Sequence, residues 1–437
     1  MTMRILTCLW MMVALTATLS AQTAREEIAA NKYLAASNYL DYDRQMTTTP
    51  LTPTPAGYTP FYMSHYGRHG SRWLIAKDSY TSVVDPMRKA RSYGKLTPKG
   101  QEVLQQLEQF LPCTEKRLGD LTTVGERQHH GIGKRMAQNF PEIFKTPGVT
   151  IDARSTVVVR CILSMVAECE ELMAANPTAH IHNDVSESLQ YYLNAPRTGI
   201  VKEMREKGRE IRKQYQGRQQ PDRLMQVLFN DQQFVHDSLS AGYLMHNLFE
   251  IATNMQSHDT DIDLYPLFTQ DEIYELWRQR NIRWYLDYGP APQTGGVMPF
   301  SQKNLLRNII ETTDTITQTQ ATLRFGHEVC VMPLACLLEL GDCGTSVDDL
   351  NQLENYWRNY RIFPMGCNIQ LIFYRPVKQA APGKQQKSAP ILVKALLNER
   401  ECTLPISTKQ YPYYDWSQLR QYYLDKLAAF EQRDKAQ

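Results

Sequence analysis

Strand and helix patterns alternate in two separated stretches of this chain, and that interruption limits its fold more than any other feature. In the first stretch, residues 61–64 form an apolar strand pattern that runs into His65-Tyr66-Gly67-Arg68-His69-Gly70-Ser71-Arg72. Helical patterns open at Leu96-Thr97-Pro98-Lys99-Gly100 and at Leu121-Thr122-Thr123-Val124-Gly125, with Thr97 and Thr122 placed as N-caps. Residues 150–153 read as a second strand, 157–173 as the helix after it, and 178–184 as a third strand. From about 187 to 315 the alternation lapses into helical, charged sequence. It returns at Thr322-Leu323-Arg324-Phe325, which leads through Gly326-His327-Glu328 into an apolar helix over 331–340. Residues 368–374 and 391–397 read as a closing hairpin around a polar loop, 376–389, and 416–432 as a final helix. The pattern predicts an α/β fold with a mostly parallel central sheet flanked by helices. Its core would comprise 22–186 and 316–437, divided by a mainly helical cap insertion over 187–315. Residues 22–60 read as an N-terminal arm with a possible short helix at 31–40, ending in an extended linker that holds four prolines between 47 and 60.

A chain of 437 residues has room for such a core with a large insertion. With 48 basic and 46 acidic residues, no global charge points to nucleic acid or to a membrane surface. Residues 1–21 have the layout of a secretory signal peptide: Arg4, an apolar run over 5–19, and a small residue, Ala21, at the cut. The sequence therefore predicts a secreted, periplasmic or cell-surface protein with no membrane span after cleavage. Nine cysteines would become eight, and eight permit 105 pairings, so spacing alone fixes none. Most lie in apolar runs, as buried free thiols do. Oligomeric state is not legible.

Arg68-His69-Gly70-Ser71-Arg72 is the sharpest chemical feature. Two guanidiniums beside one imidazole suit a dianionic phosphate, because arginine forks bind its oxygens in pairs. They would also depress the histidine pKa and keep the ring neutral and nucleophilic. Gly70 would let backbone N–H groups approach the anion. No carboxylate cluster with metal-ligand spacing accompanies it, so neither metal nor cofactor is expected.

This stretch resembles the RHGxR motif of the histidine phosphatase superfamily, in its acid phosphatase and phytase branch. Three further segments resemble that branch in the same order: Leu121-Thr122 with Gly125 and Gln128; Arg154-Ser155-Thr156 with Arg160 and Ser164; and Phe325-Gly326-His327-Glu328 with Pro333. Trp284-Tyr285-Leu286-Asp287-Tyr288-Gly289 is similar to the multiple inositol polyphosphate phosphatases. The resemblance spans 58–437. It implies His69 as a nucleophile forming a phosphohistidine, and Arg68, Arg72, Arg160 and His327 as phosphate ligands. It adds Arg154 as a further arginine near the phosphate, and Glu328 as the proton donor. Two positions depart from the pattern. Leu74 stands where the motif often has proline, and the distal motif combines the placement of an HD form with a glutamate.

Other features carry less. His65 lacks flanking arginines and reads as structural. His129-His130 reads as a surface pair on a helix. His180 and His182 share one strand face without a third metal ligand. Residues 202–223 carry eight basic and four acidic residues, a solvated helix face unless they cover the pocket. The expected function is an exported phosphomonoesterase acting on a small phosphate ester, with inositol polyphosphates such as phytate as the first substrate class. A broad acid phosphatase and a non-catalytic polyphosphate-binding protein are the alternatives. A mutase is disfavoured by the leader and the long insertion.

Overall fold

The computed structural model describes residues 22–45, 49–215, 220–316, 318–377 and 389–436. Residues 1–21, read from the sequence as a signal peptide, residues 216–219 of the basic run, and most of the 376–389 loop lie outside the described residues.

Eight strands form one mixed sheet: β1 (Tyr58–Arg68), β2 (Thr150–Ser155), β3 (His180–Asp184), β4 (Thr319–Gly326), β5 (Asn368–Pro376), β6 (Leu392–Leu397), β7 (Arg400–Cys402) and β8 (Tyr414–Asp415). The order is β3-β2-β4-β1-β5-β6-β7, with β8 on β6. The first four strands in that order pair in parallel, and the pairs from β1·β5 onward are antiparallel. The α/β class read from the sequence is the class observed. β1 is longer than its apolar run suggested, because the His65–Arg68 stretch continues the strand between β4 and β5. Being central, β1 is buried from Tyr62 to Arg68.

Both threonine caps form. Thr97 Oγ1 accepts from Gly100 N at 2.9 Å, and Thr122 Oγ1 from Gly125 N at 3.2 Å. The final helix, Trp416–Lys435, is capped by Asp415. Between β3 and β4 the described elements are all helical. Most of their buried apolar side chains divide between two clusters, with a smaller third formed by Ile200, Val201, Val297 and Met298 against Phe430. One joins Leu224–Trp277 side chains to the N-terminal arm and to the Asp78–Ser92 and Pro98–Phe110 helices. The other joins Ile282–Ile310 side chains to the Glu328–Leu337 helix and to the antiparallel strands. Residues 78–110, grouped by sequence with the α/β core, thus pack with the helical segment, and Leu96 bridges to Phe229. No helix among the described residues is long and apolar enough to cross a membrane. Six of the eight described cysteines are buried, and all eight are free thiols.

Candidate active site

β2, β4 and β1 end side by side. Arg68 is level with Gly326, and Ser155 with Phe325, so the segments that follow open at one edge of the sheet. The backbone ties them together: His69 N donates to Gly326 O, and Thr156 N to Phe325 O, each at 3.0 Å. This sets the His69 and His327 rings edge to face, 5.6 Å apart.

His69 is fully buried. Its Nδ1 lies 2.8 Å from the Gly70 carbonyl oxygen. A carbonyl only accepts, so Nδ1 carries the proton and Nε2 keeps its lone pair. Nε2 has no hydrogen-bond partner and lies 3.7 Å from Glu328 Oε2. Burial, then Arg68, Arg160 and Arg72, hold the ring's pKa well below the usual histidine range. The result is a neutral imidazole with its nucleophilic nitrogen free.

Three guanidiniums surround it. Arg68 spends Nη1 on the carbonyls of Asn38, Phe363 and Pro364, at 2.6, 3.2 and 3.1 Å. Its Nε lies 3.2 Å from Glu328 Oε2, and its Nη2 is unpaired. Arg72 donates Nη1 to Trp73 O at 2.9 Å and leaves Nε unpaired. Arg160, on the Val159–Ala175 helix, donates Nη1 to Gly119 O at 3.3 Å, again with Nε unpaired. Two buried cations, Arg68 and Arg72, and the half-buried Arg160, each fixed by carbonyls and with N–H groups left over, form a receptor for an anion.

Glu328 is the first residue of the Glu328–Leu337 helix, and His327 occupies the N-cap. Pro333 inside that helix cannot donate to Val329 O, and Gln302 Nε2 reaches that carbonyl at 3.5 Å instead. Burial pushes the Glu328 carboxyl up, but Arg68, Arg72 and His327 outweigh it and bring the pKa down to about 2. Burial, with Arg160 and Arg68, lowers His327 to about 4 against the pull of Glu328. Cys161 Sγ lies 3.8 Å from both ring nitrogens of His327. Ligand atoms of His69, His327 and Glu328 lie within 4.8 Å of one another, the one such group among the described residues. Three adjacent guanidiniums make that space suitable for an anion and hostile to a cation.

Arg154 is not brought into this cluster. Its guanidinium bonds Asp152 Oδ2 at 3.1 Å and Tyr192 Oη at 3.3 Å. Successive strand residues face opposite ways, and it is the next residue, Ser155, that is fully buried. Gly70 also differs from expectation. Its N–H donates to Ser164 Oγ at 3.1 Å, and a methyl group on it would lie 2.3 Å from Gly125 O. Close packing of the loop against the Thr123–Asn139 helix, rather than anion contact, requires this glycine. Leu74 N donates to Tyr80 Oη at 3.1 Å, a bond that proline could not make.

Of the remaining histidines, His65 is buried with both ring nitrogens unpaired. His129 is not on the surface: it is fully buried, with Nδ1 2.6 Å from Glu168 Oε1. Its neighbour His130 reaches the same Val159–Ala175 helix, with Nδ1 3.0 Å from Glu171 Oε1, but only His129 is fully buried. His180 and His182 are exposed on the edge strand β3. Sequence reasoning passed over Asn38, Tyr39 and Asp41, which reach the site from the arm. No local spacing marks residues about 30 positions upstream of the loop they touch.

This architecture recurs in solved structures. Multiple inositol polyphosphate phosphatase from Bifidobacterium longum, in complex with inositol hexasulfate, superimposes with a TM-score of 0.70 at 16% identity, over 90% of this chain and 97% of that one. The chain has the fold of that enzyme and of the phytases. The D. castellii phytase matches with a TM-score of 0.68 at 15% identity, over 94% of this chain and 88% of that one. The Hafnia alvei phytase, in complex with tartrate, gives 0.53 at 14% identity, over 85% of this chain and 98% of that one. These neighbours belong to the histidine acid phosphatase branch that the motifs resemble. The sequence matches no protein-family model and no curated protein.

Proposed function

We propose that the protein is an exported phosphomonoesterase that cleaves inositol polyphosphates such as phytate through a phosphohistidine at His69. The observation that carries this reading is the unpaired, unprotonated Nε2 of His69 among Arg68, Arg72 and Arg160, with Glu328 opposite. The scissile phosphate enters that cage, and the guanidiniums and His327 hold its non-bridging oxygens. Nε2 attacks phosphorus in line, the P–O bond to the alcohol breaks, and Glu328 gives its proton to the leaving oxygen. A water then attacks phosphorus. Glu328 takes the water's proton, and the N–P bond breaks to free His69 and inorganic phosphate. This chemistry needs no metal, and activity is expected to survive chelators.

The polyphosphate preference is supported by the helical segment. On the Gly199–Lys213 helix the basic residues divide. Arg209 pairs with Glu206 and Lys213 with Glu210 on the solvent face. Arg205 turns inward over the Tyr288 ring, and Arg212 reaches Asp287 Oδ2 at 3.1 Å. A cavity of about 120 Å³ is lined by Arg212, His246, Arg280 and Arg283 among others. A small ester without remote phosphates would gain nothing from these cations. Phosphate release from phytate and from glycerophosphate tests the point. Arg205→Gln with Arg212→Gln should raise KM for phytate far more than for glycerophosphate. Equal changes would favour the broad acid phosphatase.

A further inference from the structure

The arm that precedes the first strand does not merely cover the core. Two of its residues touch the Arg68–Arg72 segment directly, and a third reaches it through Gln128. Asn38 O accepts from Arg68 Nη1 at 2.6 Å. Asp41 Oδ1 accepts from Gln128 Nε2 at 2.6 Å, and Gln128 Oε1 accepts from Ser71 N at 2.8 Å. Between them, the Tyr39 ring centre lies 5.4 Å from the Arg72 guanidinium carbon. Tyr39 is buried, and its hydroxyl donates to Glu250 Oε1 at 3.1 Å.

The chain bends sharply to deliver these groups. Ser37, fully buried, has φ 60° and ψ −117°, a left-handed backbone that a non-glycine residue adopts only when its surroundings impose it. Asn359 Nδ2 donates to Ser37 Oγ at 2.7 Å, and Met365 N to Leu40 O at 2.8 Å, fixing both sides of the bend.

Glu250 gives Tyr39 its significance. It lies on the Ala241–Asn254 helix, four residues before Asn254, whose Nδ2 donates to Arg72 O at 3.1 Å, and four after His246, which lines the cationic cavity. Residues four apart share a helix face, so this face runs from the phosphate cage to the cavity. The Glu250 charge acts on Arg72 at one end and on Arg280 at the other. Free to move, the Arg72 side chain would swing toward this carboxylate and out of the cage. The Tyr39 hydroxyl occupies Glu250 Oε1, and the ring supports the guanidinium by cation–π contact.

We propose that the N-terminal arm is a working part of the phosphate site, and that Tyr39 is a positioning residue that holds Arg72 in the cage and away from Glu250. This rests on the assignment of Arg72 as a phosphate ligand. Tyr39 acts through Arg72 and does not touch the phosphate.

The test is a double-mutant cycle on the full chain, read by competitive inhibition with inorganic phosphate and by KM and kcat for glycerophosphate. Tyr39→Leu should raise the phosphate Ki and the KM about tenfold, with a smaller change in kcat. Tyr39→Phe keeps the ring and should recover most of that loss. In an Arg72→Ala background, Tyr39→Leu should add nothing. A wild-type Ki for Tyr39→Leu beside a weakened Arg72→Ala overturns the arm proposal alone. So does a Tyr39→Leu effect of equal size with and without Arg72. A wild-type Ki for Arg72→Ala overturns the phosphate-ligand assignment itself. If Tyr39→Leu fails to fold by circular dichroism, Tyr39→Phe takes its place, with Glu250→Gln as the background. The residual shift must then vanish once Glu250 has lost its charge, and a shift that persists refutes the proposal.

Discussion

A carboxyl group with a pKa near 2 is ionised wherever this protein would work, yet a general acid must carry a proton into the transition state. The conflict belongs to the substrate-free site. Arg68 and Arg72 depress Glu328 most strongly while no phosphate shares the cage with it. A phosphate dianion in the cage cancels their pull and adds its own repulsion, while burial continues to favour the neutral acid. Binding should therefore be coupled to proton uptake. Sulfate is a dianion at pH 5, where free inorganic phosphate is a monoanion, so calorimetry of sulfate binding at that pH in buffers of different ionisation enthalpy should show close to one proton taken up by the wild type and much less by Glu328→Gln. Because the acid forms in the complex, kcat for an alkyl phosphate should fall as pH rises through the raised pKa. Glu328→Gln should cost an alkyl ester about 10²–10⁴-fold in rate and nitrophenyl phosphate far less, since nitrophenolate leaves without a proton. Equal losses on both esters, with no change in pH profile, would make Glu328 structural.

The Gly70–Gly125 contact joins two elements with no room between them. A methyl group on Gly125 would lie 2.2 Å from Ser71 O, so the helix and the loop must part to admit it. Gly125→Ala should destabilise the fold by about 1–3 kcal/mol in a denaturant titration and lower kcat/KM by displacing Arg72. Elements of this kind were legible where one local rule decided them. The threonine caps, the run from β1 into the arginine loop, and the β5–β6 hairpin each follow from a few adjacent residues. What a local pattern cannot state is which way a feature faces. Arg154 and Ser155 lie on opposite faces of β2, and the packing around that strand, not the sequence of the segment, makes Ser155 the buried one. His129 and His130 read alike as a surface pair, and the packing of two helices decides that His129 is the one buried. Tyr39 and Asp41 were harder still. Their partners, Glu250 and Gln128, are 211 and 87 residues away, and only the assembled sheet brings them near.

Across the whole molecule, several histidines are buried in neutral form, and this sets a limit on acid stability. His65 titrates near 3 because burial, then His129 and Arg324, oppose its charge. His327 titrates near 4, and His69 is also lowered. An unfolded histidine takes up its proton near pH 6.5, whereas these do so only at lower pH. The unfolded state therefore binds more protons in that interval, and stability declines as pH falls from about 6.5 toward 4, by up to about 1.4 kcal/mol per pH unit for each such group. The melting temperature should drop across that range. His65→Leu, which removes one of these groups from the core without touching the cage, should flatten the decline. An identical slope in the variant would mean that other groups dominate acid unfolding. An enzyme working in acid would feel this limit, and a bound phosphate should offset it by stabilising the folded state.

Covalent chemistry at His69 is the central claim, and trapping the phosphoenzyme tests it most directly. The protein would be mixed briefly with radiolabelled substrate, quenched in alkali, digested and mapped. Phosphohistidine survives alkali and is lost in acid. The account predicts one alkali-stable, acid-labile label on the peptide containing His69, absent from His69→Ala, which should still bind phosphate. Label on any other residue, or turnover retained by His69→Ala, would contradict it.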